Sequence, residues 1–564
     1  MRALAWIIAT TLLVSLADES VAGRRVTVTR EAIRALGATR LHDLIAVTEP
    51  WNPQSNDGYT VSPTPRALSL PRAAQWAVFL NGQRLDVTVF DAVHLEMVPV
   101  SLAEIDSVVF CDESGPGTSW DSGRGRVEIF AARARGGWNA GGAVSAANES
   151  GDPGPWRYTD RTTPNVDGIG PDGSLWVSCG ASRWYAALSA SLAQHPYTDN
   201  AMRERTVTAL RTYRPGATTP ASDATAWFYD PTWPAVLRTS ASLRAGVRAG
   251  SRWQEALVSV QDARRYFHYS EPFGRELPTD QRVTTFALSG RAGLAANLSL
   301  GYHASASESQ LSDQDGVLAF DYDWETRRAR GDVDLARAGR DSRVVLFAGI
   351  EERRAATTDS LSRDEDTFVR AGLTAERRLG ARWRVGLDAA GTFSNGDAAA
   401  SLGATANWTV RQADTLRARV RVAQRLFVED DNLWLWSERG YDLLARNGVS
   451  YTIDGPVTNT TVSSADLGWT SRGMLGGVDV DLGVRRFDDA YVEQRAFAFD
   501  PTTCAFVSPT RVTTGRTGHV ALVRTRLWHG LGSNSWADFS WTYHEEFNSD
   551  DAFGALGGPS PGTA

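Results

Sequence analysis

The chain has 564 residues and a formal net charge of −8, and all 58 of its basic residues are arginine. An acidic chain without lysine excludes a lysine-dependent phosphate loop and Schiff-base chemistry, and it offers no basic footprint for nucleic acid. Its three cysteines, Cys111, Cys179 and Cys504, are too few and too far apart for a disulfide framework or a cysteine metal site.

The first element is a targeting signal. Arg2 precedes an apolar run from Ala3 to Ala17, and Ser20-Val21-Ala22 supplies a small-x-small cleavage site. The run is shorter than the roughly 20 residues a spanning helix needs. Residues 1–22 therefore read as a signal peptide and the chain as exported. No later apolar run is long enough to span as a helix, so entry into a membrane would have to be by strands.

Residues 23–135 are mixed. VTVTREAIRALGATRLHDLIAV opens as a strand, then takes helical spacing at Ile33, Leu36, Leu41, Leu44 and Ile45. A proline-rich loop follows, then AVFLNGQRL with an Asn81-Gly82 hairpin turn, then VPVSLAEIDSVVF, a short helix leading into a strand. SGPGTSWDSGRGRVEIF, Ser114 to Phe130, is glycine-rich like a phosphate cradle, but a strand follows it where a cradle opens a helix.

Beyond Gly136 the texture changes. Short turn-like segments recur: GASRW at 180–184, GSRW at 250–253, GLAAN at 293–297, GRDSR at 339–343 and GARW at 380–383. Between them lie polar, often acidic stretches such as SESQLSDQDG, TTDSLSRDED and SNGDAAA, which read as long loops. Short turns at one end and long loops at the other are the asymmetry of a transmembrane β-barrel. The strands alternate accordingly. Leu416, Ala418, Val420 and Val422 face away from Arg417, Arg419 and Arg421; Phe320, Tyr322 and Trp324 face away from Asp321, Asp323 and Glu325; Val478, Val480 and Leu482 face away from Asp479 and Asp481. One such strand fits the exposed face of a soluble sandwich equally well. Repeated over roughly 15 or more strands without intervening helices, the pattern reads as a water-lined barrel. The charged rows are then lumen-facing candidates. Trp184, Trp253 and Trp383, each just after a short turn, are membrane-interface candidates.

The first 135 residues resemble the plug domain of TonB-dependent outer-membrane receptors. The residues that carry the resemblance are VTVTREAIRALGATRLHDLIA (26–46), VFLNGQRL (78–85), VPVSLAEIDSVVF (98–110), GPGTSW (115–120) and GRGRVEIFA (123–131). It implies structural roles in the plug for Asn81, Gly82, Pro99, Gly115, Pro116, Gly117, Gly123 and Gly125, the glycines serving tight turns and close approach. It also implies a mainly β fold: a small N-terminal α+β plug over 23–135 and an antiparallel transmembrane barrel over 136–564. The family's strand number is 22, whereas roughly 16 to 19 strands are readable here, so a barrel incomplete at its C-terminus is expected. Two departures stand out. Ile105-Asp106-Ser107-Val108 lacks the arginine usual in that plug strand, and only RRVTVT (24–29) could serve as the segment that pairs with TonB.

Two glycine motifs carry no chemistry: GIGPDG (168–173) reads as a turn, and GPSPG (558–562) has prolines on both sides of Ser560. The eight histidines are dispersed, which argues against a metal site. The expectation is a receptor and transporter, not an enzyme and without cofactor. It would capture a scarce solute (a siderophore, cobalamin or a saccharide) at the cell surface and pass it inward with energy from TonB and its inner-membrane complex. An uncoupled binding barrel and a fragment of a longer receptor are the alternatives.

Overall fold

The computed structural model of the chain describes residues 25–36, 51–55, 61–65, 76–85, 98–111, 125–134, 136–148, 169–195, 236–268, 276–313, 323–357, 363–394, 396–411, 413–426, 451–454, 459–473, 476–495, 498–500, 505–507, 510–530 and 536–548, with residues 38, 41 and 44.

The N-terminal part is a small sheet with one short helix. Its elements are β1 (Arg25–Thr29), α1 (Arg30–Ala35), β2 (Trp51–Ser55), β3 (Val61–Pro65), β4 (Trp76–Leu80), β5 (Gln83–Arg84), β6 (Ile105–Cys111) and β7 (Gly125–Ala131). Strand ends and helix begins at Thr29, whose hydroxyl accepts the Ala32 N–H and caps the helix. The five-stranded sheet runs β1-β6-β7-β4-β5, with β2 and β3 paired apart from it. At the β4–β5 turn Asn81 and Gly82 both take positive φ, 52° and 84°, as a two-residue hairpin turn of the primed type requires. The expected helix before β6 is a single 3-10 turn, Leu102–Glu104, closed by a capping box between Ser101 and Glu104. Alternation along β4, β6 and β7 buries Val78, Leu80, Val108, Phe110, Val127 and Ile129 in one core, which Leu257 joins from outside the sheet.

The remainder is wall. Its strands are β8 (Gly137–Asn148), β9 (Ile169–Ala181), β10 (Trp184–His195), β11 (Val236–Ala249), β12 (Arg252–His268), β13 (Glu276–Ala295), β14 (Leu298–Asp313), β15 (Asp323–Ala338), β16 (Ser342–Thr357), β17 (Arg363–Leu379), β18 (Trp383–Ser394), β19 (Asp397–Arg411) and β20 (Asp414–Arg425). After the short β21 (Tyr451–Asp454) come β22 (Thr460–Arg472), β23 (Gly476–Arg495), a separate pair β24 (Ala498–Asp500) and β25 (Ala505–Val507), then β26 (Thr510–Gly530) and β27 (Trp536–Asn548). Each long strand pairs antiparallel with the next along the wall, and the sheet closes with β27 beside β8. Among the described residues, seventeen strands of 12 to 21 residues make the wall. Strand tilt and barrel diameter adjust to strand number, so a wall of this many strands can close.

Short turns join strands at one end, as at 182–183, 250–251 and 339–341, and longer connections join most of them at the other; the exception is 395–396, where SNGDAAA, read as a long loop, is a two-residue turn running into β19. Two further readings of the sequence need correction. Much of the acidic stretches is strand: Ser307–Asp313 prolongs β14 and Arg363–Asp366 opens β17. Polar residues tolerate a ladder beyond the hydrocarbon layer as long as the backbone stays paired. GIGPDG, read as a turn, contributes Ile169–Gly173 to β9, where it pairs with β8 from Val144 to Asn148.

Side chains on each wall strand alternate between two surfaces. Ser189, Ser242, Arg244 and Glu255 are buried and touch the small sheet, so their face is the lumen. Residues in register with them share that face, and the opposite face carries exposed Leu188, Leu243, Val258, Leu467 and Leu482. An apolar outer face over a polar lumen is the reverse of a water-soluble protein and the arrangement a bilayer demands.

Candidate functional site

The chemistry of this molecule lies where the small sheet meets the wall, at two buried carboxylates. The first is Glu255 on β12, which is 1% exposed. It accepts from Asn81 Nδ2 at 2.6 Å, from Arg133 Nε at 2.9 Å and from the Tyr185 hydroxyl. Asn81 reaches it because the hairpin turn projects this side chain past the end of β7. There its Oδ1 accepts the Ala131 N–H at 2.9 Å, and its own N–H donates to Ile129 O at 2.8 Å. The Arg133 guanidinium also stands over the Trp253 ring, 4.9 Å from its centroid. Burial disfavours the Arg133 charge, but the neighbouring Glu255 carboxylate outweighs it and holds the pKa above the ordinary arginine value.

The second is Glu104, at the end of the 3-10 turn. One carboxylate oxygen closes the capping box on the Ser101 N–H at 3.2 Å. The other accepts from Ser189 Oγ on β10 at 2.5 Å and from Arg244 Nη2 on β11 at 2.7 Å. Side-chain exposures of 1% for Arg244 and 2% for Glu104 make this a fully buried ion pair. Arg244 Nη1 also donates to Ala132 O, and Ser242 Oγ to Pro99 O, so backbone of the small sheet is held as well. Removing one member of such a pair leaves an uncompensated charge in a dry site.

A third contact is made by β16, four strands further along the wall from β12. Glu351 on β16 is surrounded by Arg353 at 2.7 Å, Arg328 at 3.4 Å and, from β5, Arg84 at 4.0 Å. Arg126 and Arg330 both stand over Phe79, at 3.8 Å and 5.9 Å. Together these contacts can hold a small domain in a polar channel and, if broken in concert, release it. Among the described residues no group of three or more metal-ligating side chains occurs.

The sequence candidates fall as follows. Arg417, Arg419 and Arg421 are on the lumen face, and each meets an acid of a nearby wall strand: Asp481 at 2.6 Å, Asp466 at 2.5 Å and Asp388 at 4.0 Å. Asp479 lies two residues from Asp481 on the same lumen face. Glu325 is a correction. It stands in register with Gln310 on the outer face, the phase that later on β15 carries exposed Val333, and it pairs with Arg327 at 2.5 Å. Asp323 belongs to the same strand, and Asp321 lies outside the described residues. Trp184 and Trp383 are outer-face residues, Trp383 stacking on Trp408 of β19 with centroids 5.4 Å apart. Trp253 is the second correction: two residues from Glu255, it faces the lumen and receives Arg133. Asn81, Gly82, Pro99 and Gly125 lie on the small sheet or against the wall, whereas Gly115, Pro116, Gly117 and Gly123 lie outside the described residues, as does GPSPG. Sequence reasoning missed Glu104, Arg244, Glu255 and Tyr185. Only Glu104 carried a signal, the Ser-x-x-Glu capping spacing.

No protein-family model matches the sequence, and no curated protein does. Solved structures do. A variant of the ferric enterobactin receptor PfeA from Pseudomonas aeruginosa is 12% identical with a TM-score of 0.69, over 94% of this chain and 81% of that one. The copper transporter OprC is 12% identical with a TM-score of 0.64, over 95% of this chain and 82% of its own. The FrpB iron transporter from Neisseria meningitidis is 10% identical with a TM-score of 0.65, over 93% and 80%. The chain therefore has the fold of these solved structures; among its own described residues 17 long strands surround a five-stranded sheet.

Proposed function

We propose that the chain is an outer-membrane receptor and transporter that captures a scarce solute at its long-loop end and passes it to the periplasm when energy drawn through TonB moves the plug. On this reading residues 1–22 are a cleaved signal, 23–135 the plug and 136–564 the barrel. Solute recognition, not bond chemistry, is its work. The observation that supports it most is the paired clasp at Glu255 and Glu104, which joins the plug to β10, β11 and β12 through groups that can be re-wetted and re-formed. A plug meant to stay could be packed by apolar contacts alone; one meant to move is better held by polar bonds that water can replace. The charged lumen rows, Asp479, Asp481, Arg417, Arg419 and Arg421, keep the channel hydrated for a polar solute. RRVTVT at 24–29 is the candidate TonB-pairing segment, adding a strand to its partner.

The test is uptake by receptor-deficient cells expressing the full chain, with labelled ferric enterobactin, copper and cobalamin as probes, with and without TonB. Accumulation of one probe that disappears without TonB is the expected result. Binding that never becomes accumulation would make the chain an uncoupled barrel, and neither binding nor accumulation would remove the transport reading for those probes.

A further inference from the structure

A row of hydroxyls stands in register across consecutive wall strands. Ser189 on β10 lies opposite Ser242 on β11, and the row continues through Ser259 on β12, Thr285 on β13 and Ser307 on β14. All of them are buried on the lumen face. At the clasp end the plug uses them: Ser189 donates to Glu104, and Ser242 to Pro99 O. Further along it does not. The Ser259 and Thr285 hydroxyls, both on residues 1% exposed, have no hydrogen-bond partner among the described residues. Nor has the buried Ser309 hydroxyl, two residues beyond Ser307 on the same face.

The plug brings one more such group to the same place. Gln83 is 0% exposed, and among the described residues neither its amide oxygen nor its amide nitrogen has a partner. It stands opposite Leu80 in the β4–β5 hairpin and so shares the face of Leu80, the face whose core Leu257 of β12 joins. β5 itself lies against β14. Gln83 is thus directed at the strip of wall from β12 to β14, while its neighbour Arg84 turns the other way, to Glu351. From Leu257 to Gln261, from Val283 to Ala287 and from Ser305 to Ser309, no lumen-facing residue is charged. Charge resumes on either side, with Arg244 on β11 and Arg328 and Arg330 on β15. The neutral strip is about 10 Å across at the usual ~4.8 Å strand spacing.

Buried polar groups in folded proteins are almost always satisfied, and where the chain supplies no partner a water or a ligand does. A charged solute in this strip would lose its water without meeting a counter-charge. Hydroxyls and a carboxamide both donate and accept, which matches the hydroxyl groups of an uncharged solute. Resting on the transport reading above, we propose that Gln83, Ser259, Thr285 and Ser309 form a binding site between plug and wall for an uncharged, hydroxyl-rich solute, in chemical class a short saccharide. The plug contributes Gln83 and the wall contributes the hydroxyls. Movement of the plug therefore withdraws one side of the site and loosens the solute.

The test is calorimetric titration of the purified full chain with maltotriose, raffinose and the charged trigalacturonate, unboiled gel mobility reporting that the barrel is formed. The expected result is that an uncharged saccharide binds and trigalacturonate does not. Q83L and S259A/T285V should each weaken that binding about tenfold, while S464A, at a buried lumen hydroxyl on β22, leaves it unchanged. Because the two wall hydroxyls have no partner in the protein, S259A/T285V should also keep the thermal transition of the barrel. A lowered transition would show that they brace the wall, and overturns the site. Absence of binding by both uncharged saccharides, or binding unchanged in either variant, overturns it too and leaves water as the partner of these groups. Uptake in cells separates the two readings. TonB-dependent accumulation of ferric enterobactin, copper or cobalamin without saccharide binding overturns the site and leaves transport standing. Saccharide binding lost in the variants, but never followed by accumulation, upholds the site and overturns transport.

Discussion

The lumen has two walls that use the same residue types differently. On β10, β11 and β12, Ser189, Arg244 and Glu255 direct their polar groups to the plug, at Glu104, Asn81 and Arg133. On β20, β22 and β23, Arg417 and Arg419 bond Asp481 and Asp466 of the wall itself. The first arrangement joins two bodies; the second stiffens one. A charge in the lumen is thus no evidence of a gate until its partner is known, because the same guanidinium–carboxylate pair can fasten a plug or brace a sheet.

This contrast can be broken experimentally. The largest effect belongs to Arg244→Ala. It strands Glu104 in a dry site and is expected to destabilise plug docking by about 3–5 kcal/mol, read as faster proteolysis of the plug while the boiled-versus-unboiled gel shift persists. Equal loss of the gel shift would show that the clasp braces the barrel too. Next is Tyr185→Phe, which removes one donor from Glu255 and should cost about 1.5–3 kcal/mol by the same protease assay, as for other hydrogen bonds to charged groups.

Arg419→Ala should show the opposite pattern. Losing a pair internal to the wall costs about 1–3 kcal/mol, lowers the thermal transition of the barrel, and leaves plug proteolysis unchanged; a plug made more labile would erase the distinction between the walls. The smallest effect is expected for Gly82→Ala. At φ 84° a side chain is strained, so roughly 1 kcal/mol is lost from the hairpin that aims Asn81 at Glu255. Plug proteolysis should rise slightly, and an unchanged rate would show that the turn tolerates the residue.

Much of the fold was legible in the chain. Short turns at 182–183, 250–251 and 380–382 fall within the glycine segments read from sequence, since glycine with polar neighbours is what a reversing backbone takes. The hairpin at Asn81-Gly82 was legible for the same reason. The faces were less so. Alternation has a phase but no label for inside, so Glu325 was assigned to the lumen and Trp253 to the membrane, each on the wrong surface. Strand length was also hidden: the acidic residues at 307–313 and 363–366 look like loop, yet they continue the ladder outside the apolar zone.

By itself, then, the sequence determined the strand period, the two-ended asymmetry of the connections and the order of plug elements, because these rest on local backbone preference and on alternation between neighbouring residues. Only the tertiary structure decided that β27 lies beside β8, and that Glu104 meets Arg244 across 140 positions and Asn81 meets Glu255 across 174. Such pairings depend on how the closed wall is rotated around the plug. That rotation is set by the summed packing of a core to which both bodies contribute, and no local stretch of sequence encodes it.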